Sequence, residues 1–128
     1  MSTPASSSVS GTDRAPVDLA HLARHTFGDQ GLQQEVLALF ESQSAVWMDR
    51  LKQAGDVGEM REAAHSLKGS ARGIGAWQVA ELAERLEADS GEENSRVPSQ
   101  MARVLTRDLE DALAEVNQFI RTFLEGVG

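Results

Sequence analysis

The chain has 128 residues, 41% of them apolar, which suits a single domain with one continuous core. Its formal net charge of −8 excludes a general nucleic-acid binder, since neutralising phosphates needs a basic face. With no cysteine, disulfides, zinc–thiolate sites and thiol catalysis are also excluded, and no apolar run is long enough to span a membrane.

Ala, Leu, Glu, Gln and Arg are plentiful while β-branched residues and Tyr are sparse. Unbranched side chains lose little rotamer freedom on a helix, so the composition predicts an all-α protein. Residues 1–16 begin with a Ser/Thr/Ala-rich stretch that has no apolar centre, so they do not read as a secretory signal. They are expected to form a disordered leader before a domain over 17–126, in a cytoplasmic protein.

Asp18 is placed to cap a short first helix, with Val17 packing on Leu22 as a hydrophobic staple. Gly28 ends that helix and Asp29 caps the next. From about Asp29 to Ala54 apolar residues recur at helical spacing (Val36, Phe40, Trp47, Leu51), with Leu37, Leu39 and Val46 widening the stripe. Gly55-Asp56 restarts the chain, and Asp56 with Glu59 resembles a capping box. A third long helix is predicted to run to about Arg72, with Gly73 and Gly75 as the stop. A fourth covers Ala76 to about Asp89, burying Val79, Leu82, Ala83 and Leu86, and the polar run from Ser90 to Val97 is a loop. The last helix, roughly Pro98 to Leu124, steps through Met101, Leu105, Leu109, Ala112, Val116, Phe119 and Phe123, with Pro98 in its first turn. Four long helices joined by short loops predict an antiparallel four-helix bundle with a short additional N-terminal helix.

The third helix carries the chemistry. At about 100° per residue, Met60, Ala64, Leu67, Ala71 and Ile74 form the buried stripe. His65 lies about 140° from Met60 and so points outward, with Arg61, Lys68 and Arg72 around it and Gly69 one turn on. Neutral imidazole is a competent nucleophile, and cations beside it penalise the imidazolium form. Phosphoryl transfer spreads charge over three equatorial oxygens, which such cations can stabilise. Gly69 costs the helix about 1 kcal/mol relative to alanine, intelligible if a partner's backbone must come close to His65. Spacing alone leaves the plainer readings open: a solvated histidine among solubilising cations, and a glycine that lets a neighbouring helix approach.

The run Ala64-His65-Ser66-Leu67-Lys68-Gly69-Ser70-Ala71, followed by Ile74-Gly75-Ala76, Leu82 and Leu86-Glu87, resembles the signature of histidine-containing phosphotransfer (HPt) domains. The likeness extends over roughly Val17 to Phe123, and its specific part is 64–87. It implies a helical bundle with His65 as the phosphorylated histidine. Lys68 matches the lysine that neutralises the phosphoryl group and Gly69 the glycine that admits a receiver domain. Ser70 matches a small supporting residue, and Glu87 stands where the family has Glu or Gln near the histidine. Arg61 and Arg72 join the expected docking surface from the helical wheel, not from the resemblance. Ala83, where many members have cysteine, and Gly73 depart from the pattern without touching the chemistry.

The resemblance implies a phosphocarrier without an ATP site of its own, taking its phosphoryl group from a receiver-domain aspartyl phosphate and passing it to another receiver. Expected partners are response-regulator receiver domains and a hybrid sensor histidine kinase. No nucleic acid, membrane or resident metal is expected, Mg²⁺ comes with the receiver, and the state is monomeric. Three other readings fit the sequence less well. The phosphoacceptor bundle of a sensor kinase would show a Thr-Pro after the histidine, which is missing here. A docking module that works without phosphorylation would not need both His65 and Lys68. A metal site at His21 and His25, spaced i, i+4, lacks a Glu-x-x-His partner motif.

Overall fold

The computed structural model describes residues 15–127, so positions 1–14 of the expected leader lie outside the described residues. Five helices follow in order: α1 (Leu19–His25), α2 (Gln30–Lys52), α3 (Val57–Ile74), α4 (Trp77–Asp89) and α5 (Gln100–Val127), and among the described residues there is no strand. Helices α2 to α5 close a ring in which α2 packs on both α3 and α5, and α4 on both α3 and α5. Ion pairs show the antiparallel registers. Glu41 midway along α2 meets Arg121 toward the end of α5, while Lys52 at the end of α2 meets Glu110, earlier in α5. This is an all-α four-helix bundle with a short N-terminal helix across one end.

Aspartates start three of these helices. Asp18, Asp29 and Asp56 each accept the backbone N–H three residues on, satisfying a donor that has no partner within the helix. Glu59 completes the Asp56 cap by accepting the N–H of Gly55. The start of α5 differs from expectation: Ser99, not Pro98, fixes it, because the Ser99 hydroxyl accepts the N–H of Ala102.

Two core stripes are also rotated from the sequence reading. The inward line of α2 is Leu37, Phe40, Ser44, Met48 and Leu51, while Leu39 and Val46 face solvent. Ser44 sits in that line at no cost in unpaired polarity, since its hydroxyl donates to Glu41 O one turn back. A serine in the middle of the buried line is what displaced the apolar reading sideways. On α5, Met101 is exposed and Ala102 takes its inward place.

Helix α3 runs through Gly73 and ends at Ile74, whose buried side chain keeps the last turn in the core. Gly75 is the true stop. Its φ of 76° is left-handed, and Ala76 N–H donates back to Ala71 O at 2.9 Å, a Schellman-type ending. A Cβ at Gly75 would stand 2.8 Å from Asp18 Cβ and 3.1 Å from Asp18 O. Gly75→Ala therefore meets both left-handed strain and a clash with the α1 cap, and we expect about 2 kcal/mol of lost stability. Thermal denaturation should show a Tm lower by roughly 6–12 °C; an unchanged Tm would mean that α1 yields freely.

Candidate functional site

The site is built on the outward face of α3. Val57, Met60, Ala63, Ala64, Leu67, Ala71 and Ile74 bury the inner face, so His65, between Ala64 and Leu67, has its side chain 67% exposed. Across the groove, Leu86 anchors α4 in the core and thereby sets its neighbour Glu87 against α3. Glu87 Oε2 lies 2.9 Å from His65 Nδ1, and Glu87 Oε1 lies 2.7 Å from Lys68 Nζ. One carboxylate thus joins the two residues that sequence had singled out separately.

This geometry fixes the imidazole. A carboxylate only accepts, so Nδ1 carries the proton and Nε2 is left with its lone pair toward solvent. The Lys68 hydrogen bond, and secondarily that of His65, hold the Glu87 carboxyl below the usual glutamate range against the opposing effect of partial burial. The acceptor is therefore a full anion at neutral pH. Lys68 is only 15% exposed, its stem laid along the protein with the ammonium beside the imidazole–carboxylate pair.

The other two cations of the helical wheel have partners other than His65 and Glu87, although Arg61 also lines the groove around His65. Arg61 turns toward the α4–α5 connection, donating from Nε to Ser90 Oγ and from Nη2 to Gly91 O. Arg72 pairs with Glu84 at 3.4 Å, two turns from His65. Gly69 is exposed, with nothing within 4 Å of where a Cβ would stand. That open space removes the reading in which Gly69 admits a neighbouring helix. Ser70 is half-buried and lines a shallow α2–α3 groove with Phe40, Gln43 and Gly73.

Two residues of α2 that sequence reasoning did not place at the site also line the groove around His65. Trp47 belongs to the apolar stripe of α2 but is only half-buried, and the Arg50 guanidinium lies 4.8 Å from the centre of its ring. The i, i+3 spacing of Trp47 and Arg50 was the available signal. His21 and His25 lie far from this groove. His21 Nε2 donates to Arg72 O at 2.9 Å and its ring stands edge-on to Trp77, while His25 Nδ1 is 3.2 Å from His21 O. Among the described residues no group of three or more His, Asp or Glu gathers in a way that could hold a metal ion, and no described helix is long and apolar enough to cross a membrane.

Comparison with known proteins gives a consistent result. The family model of the Hpt domain matches residues 15–119. No curated protein sequence matches the chain. The solved structure of histidine-containing phosphotransfer protein B from Pseudomonas aeruginosa is similar with a TM-score of 0.72 at 27% identity, over 84% of this chain and 92% of that one. The histidine phosphotransferase ShpA of Caulobacter crescentus gives a TM-score of 0.60 at 31% identity, over 88% of this chain and 99% of that one.

Proposed function

The chain belongs to the Hpt domain family and acts in histidine phosphotransfer within a phosphorelay, and on that premise we propose that His65 Nε2 is the atom that carries the phosphoryl group. Hpt proteins are phosphocarriers and not classical enzymes; in this reading the chain has no ATP site of its own and works in the cytoplasm as a monomer. Its partners are receiver domains, one giving and one taking the phosphoryl group, and a hybrid sensor kinase upstream. Mg²⁺ is supplied beside the receiver's phosphoacceptor aspartate.

The observation that carries the proposal is the hydrogen bond from His65 Nδ1 to Glu87, on an imidazole whose other nitrogen is open to a partner. In the transfer, the Nε2 lone pair attacks phosphorus, the P–N bond forms, and the P–O bond to the donor aspartate breaks with its electron pair returning to that carboxylate. No proton has to move. The imidazolium that results keeps its Nδ1 proton facing the Glu87 carboxylate, which offsets the new ring charge. Lys68 stabilises the three equatorial oxygens and then the phosphohistidine. Arg50, over Trp47 in the same groove, adds a cation at the partner-facing rim.

Incubation with a phosphorylated receiver domain and Mg²⁺ tests the assignment. The label should be lost in acid and survive base, as a phosphoramidate does, and peptide mapping should place it on His65 alone. Label on another residue would overturn it.

Gly69 gives a second test, directed at docking. Because its surroundings are open, Gly69→Ala should stabilise the helix by about 1 kcal/mol and Gly69→Gln by somewhat less. The long glutamine side chain should nevertheless slow transfer strongly, by standing where a receiver approaches His65. A more stable Gly69→Gln protein with wild-type transfer would defeat the docking role.

A further inference from the structure

The C-terminus of α4 is unusual in what caps it. Its last turn contains no basic residue, the C-cap Ser90 is right-handed (φ −70°, ψ −21°), and the positive-φ glycine, Gly91 (φ 138°), comes only after it. Helix ends leave carbonyls without intrahelical partners and favour positive charge beside them. Here the partners come from other segments. Ser99 supplies its hydroxyl to Asp89 O at 2.6 Å and its N–H to Ser90 O at 2.9 Å. Arg61, from α3, holds the two residues that follow the helix, donating from Nη2 to Gly91 O at 2.6 Å and from Nε to the fully buried Ser90 Oγ at 3.0 Å.

Glu87 lies in this same last turn, three residues before Ser90. Arg61 precedes His65 by one turn on α3. The two bridges, Arg61 to Ser90 and Gly91 and His65 to Glu87, are thus successive rungs between antiparallel helices. Val79, Ala83 and Leu86 pack the inner face of α4 into the core, and beyond Leu86 the chain is held by the contacts of Ser99 and Arg61.

We propose that Arg61 is a positioning residue for the transfer: from α3 it grips Ser90 and Gly91, the two residues just past the end of α4, and so holds Glu87 in register with His65. It acts on the imidazole through Glu87 and not by touching the phosphoryl group. This rests on the reading of His65 as the acceptor, but its first consequence is visible in the unphosphorylated protein. With Glu87 in place, the neutral ring is held as the Nδ1–H tautomer. Once the last turn of α4 frays, the ring reverts toward the Nε2–H form that a free histidine favours, and the nucleophilic nitrogen is masked.

The test is ¹⁵N NMR of the imidazole nitrogens in the full chain at about pH 8.5, where histidine is neutral. Wild-type protein should show Nδ1–H at His65. Arg61→Ala should shift the tautomer ratio several-fold toward Nε2–H and slow transfer roughly 3- to 10-fold. Arg61→Lys, which can reach one of the two acceptors, should recover part of both. Ser90→Ala, removing only the Nε partner, should shift the ratio in the same direction by less, and it serves if Arg61→Ala folds poorly. Gly75→Ala is the control for stability alone, since it lowers Tm at the other end of the bundle and should leave the His65 tautomer unchanged. A wild-type tautomer ratio in Arg61→Ala or in Ser90→Ala overturns the proposal, whatever their Tm. Label that persists in His65→Gln overturns the acceptor reading instead, a result that the tautomer measurement does not depend on.

Discussion

His65→Gln should lose all phosphoryl labelling from a phosphorylated receiver, a complete effect with no residual acceptor. Glutamine matches much of the imidazole's bulk and its hydrogen-bonding reach, but its amide nitrogen has no available lone pair for attack on phosphorus. The fold should persist, because the His65 side chain lies two-thirds outside the core (67% exposed). The other histidines offer no substitute. His21 spends Nε2 on Arg72 O, His25 is 3.2 Å from His21 O through Nδ1, and neither has a lysine and a carboxylate arranged around it. Phosphotransfer assays with circular dichroism on the same samples check this. Undiminished label on a folded His65→Gln protein would move the chemistry to another residue.

Lys68→Ala should slow transfer by about one to three orders of magnitude, the usual scale for removing a donor aimed at charge that develops in a transition state. The Nζ group sits 2.7 Å from Glu87, within one turn of His65, and no other described cation is held in that position. A second consequence distinguishes this role from a solvated surface charge. The lysine hydrogen bond is the largest cause of the lowered Glu87 pKa. A carboxyl with a depressed folded pKa contributes stability that is complete above its unfolded pKa and is lost as pH falls through the folded value. In Lys68→Ala that contribution shrinks, so the variant's Tm should be lower near neutral pH and should fall less on acidification, the two proteins converging at low pH. Wild-type transfer together with an unchanged pH dependence of Tm would reduce Lys68 to a surface charge.

The fold was legible where a single helix face decided the matter. The buried stripe of α3 follows directly from its spacing, and three aspartates mark helix starts because their short carboxylates reach the third N–H on. Errors arose where one polar residue lay in an apolar line, as with Ser44, or where two glycines competed to end a helix. Gly73 tolerates a helix; Gly75 ends it because only there does the chain turn left-handed beneath Asp18. At the site, the wheel places His65 on the exposed face, as found, but does not show which partners the arginines reach. A helical wheel gives the direction in which a side chain leaves the backbone, not where seven flexible atoms then reach. Arg61 departs on the same side as His65 and ends on Gly91, a contact that depends on how α4 finishes. The link between Glu87 and His65 is likewise tertiary: 22 residues separate the two, and only the α3–α4 register brings them together.

The two oxygens of Glu87 are divided between an imidazole and an ammonium, and this bears on the reversibility of a relay. A carrier must release its cargo as readily as it accepts it, so the bound and free states should differ little in free energy. An unattached ammonium would grip a phosphoryl dianion strongly and turn the carrier into a trap. Lys68 is already engaged with Glu87, so its attraction for the phosphoryl oxygens is reduced by whatever that existing pair must give up. On the proposed role of Lys68, competition between carboxylate and phosphoryl for one cation would keep the exchange close to balance in both directions.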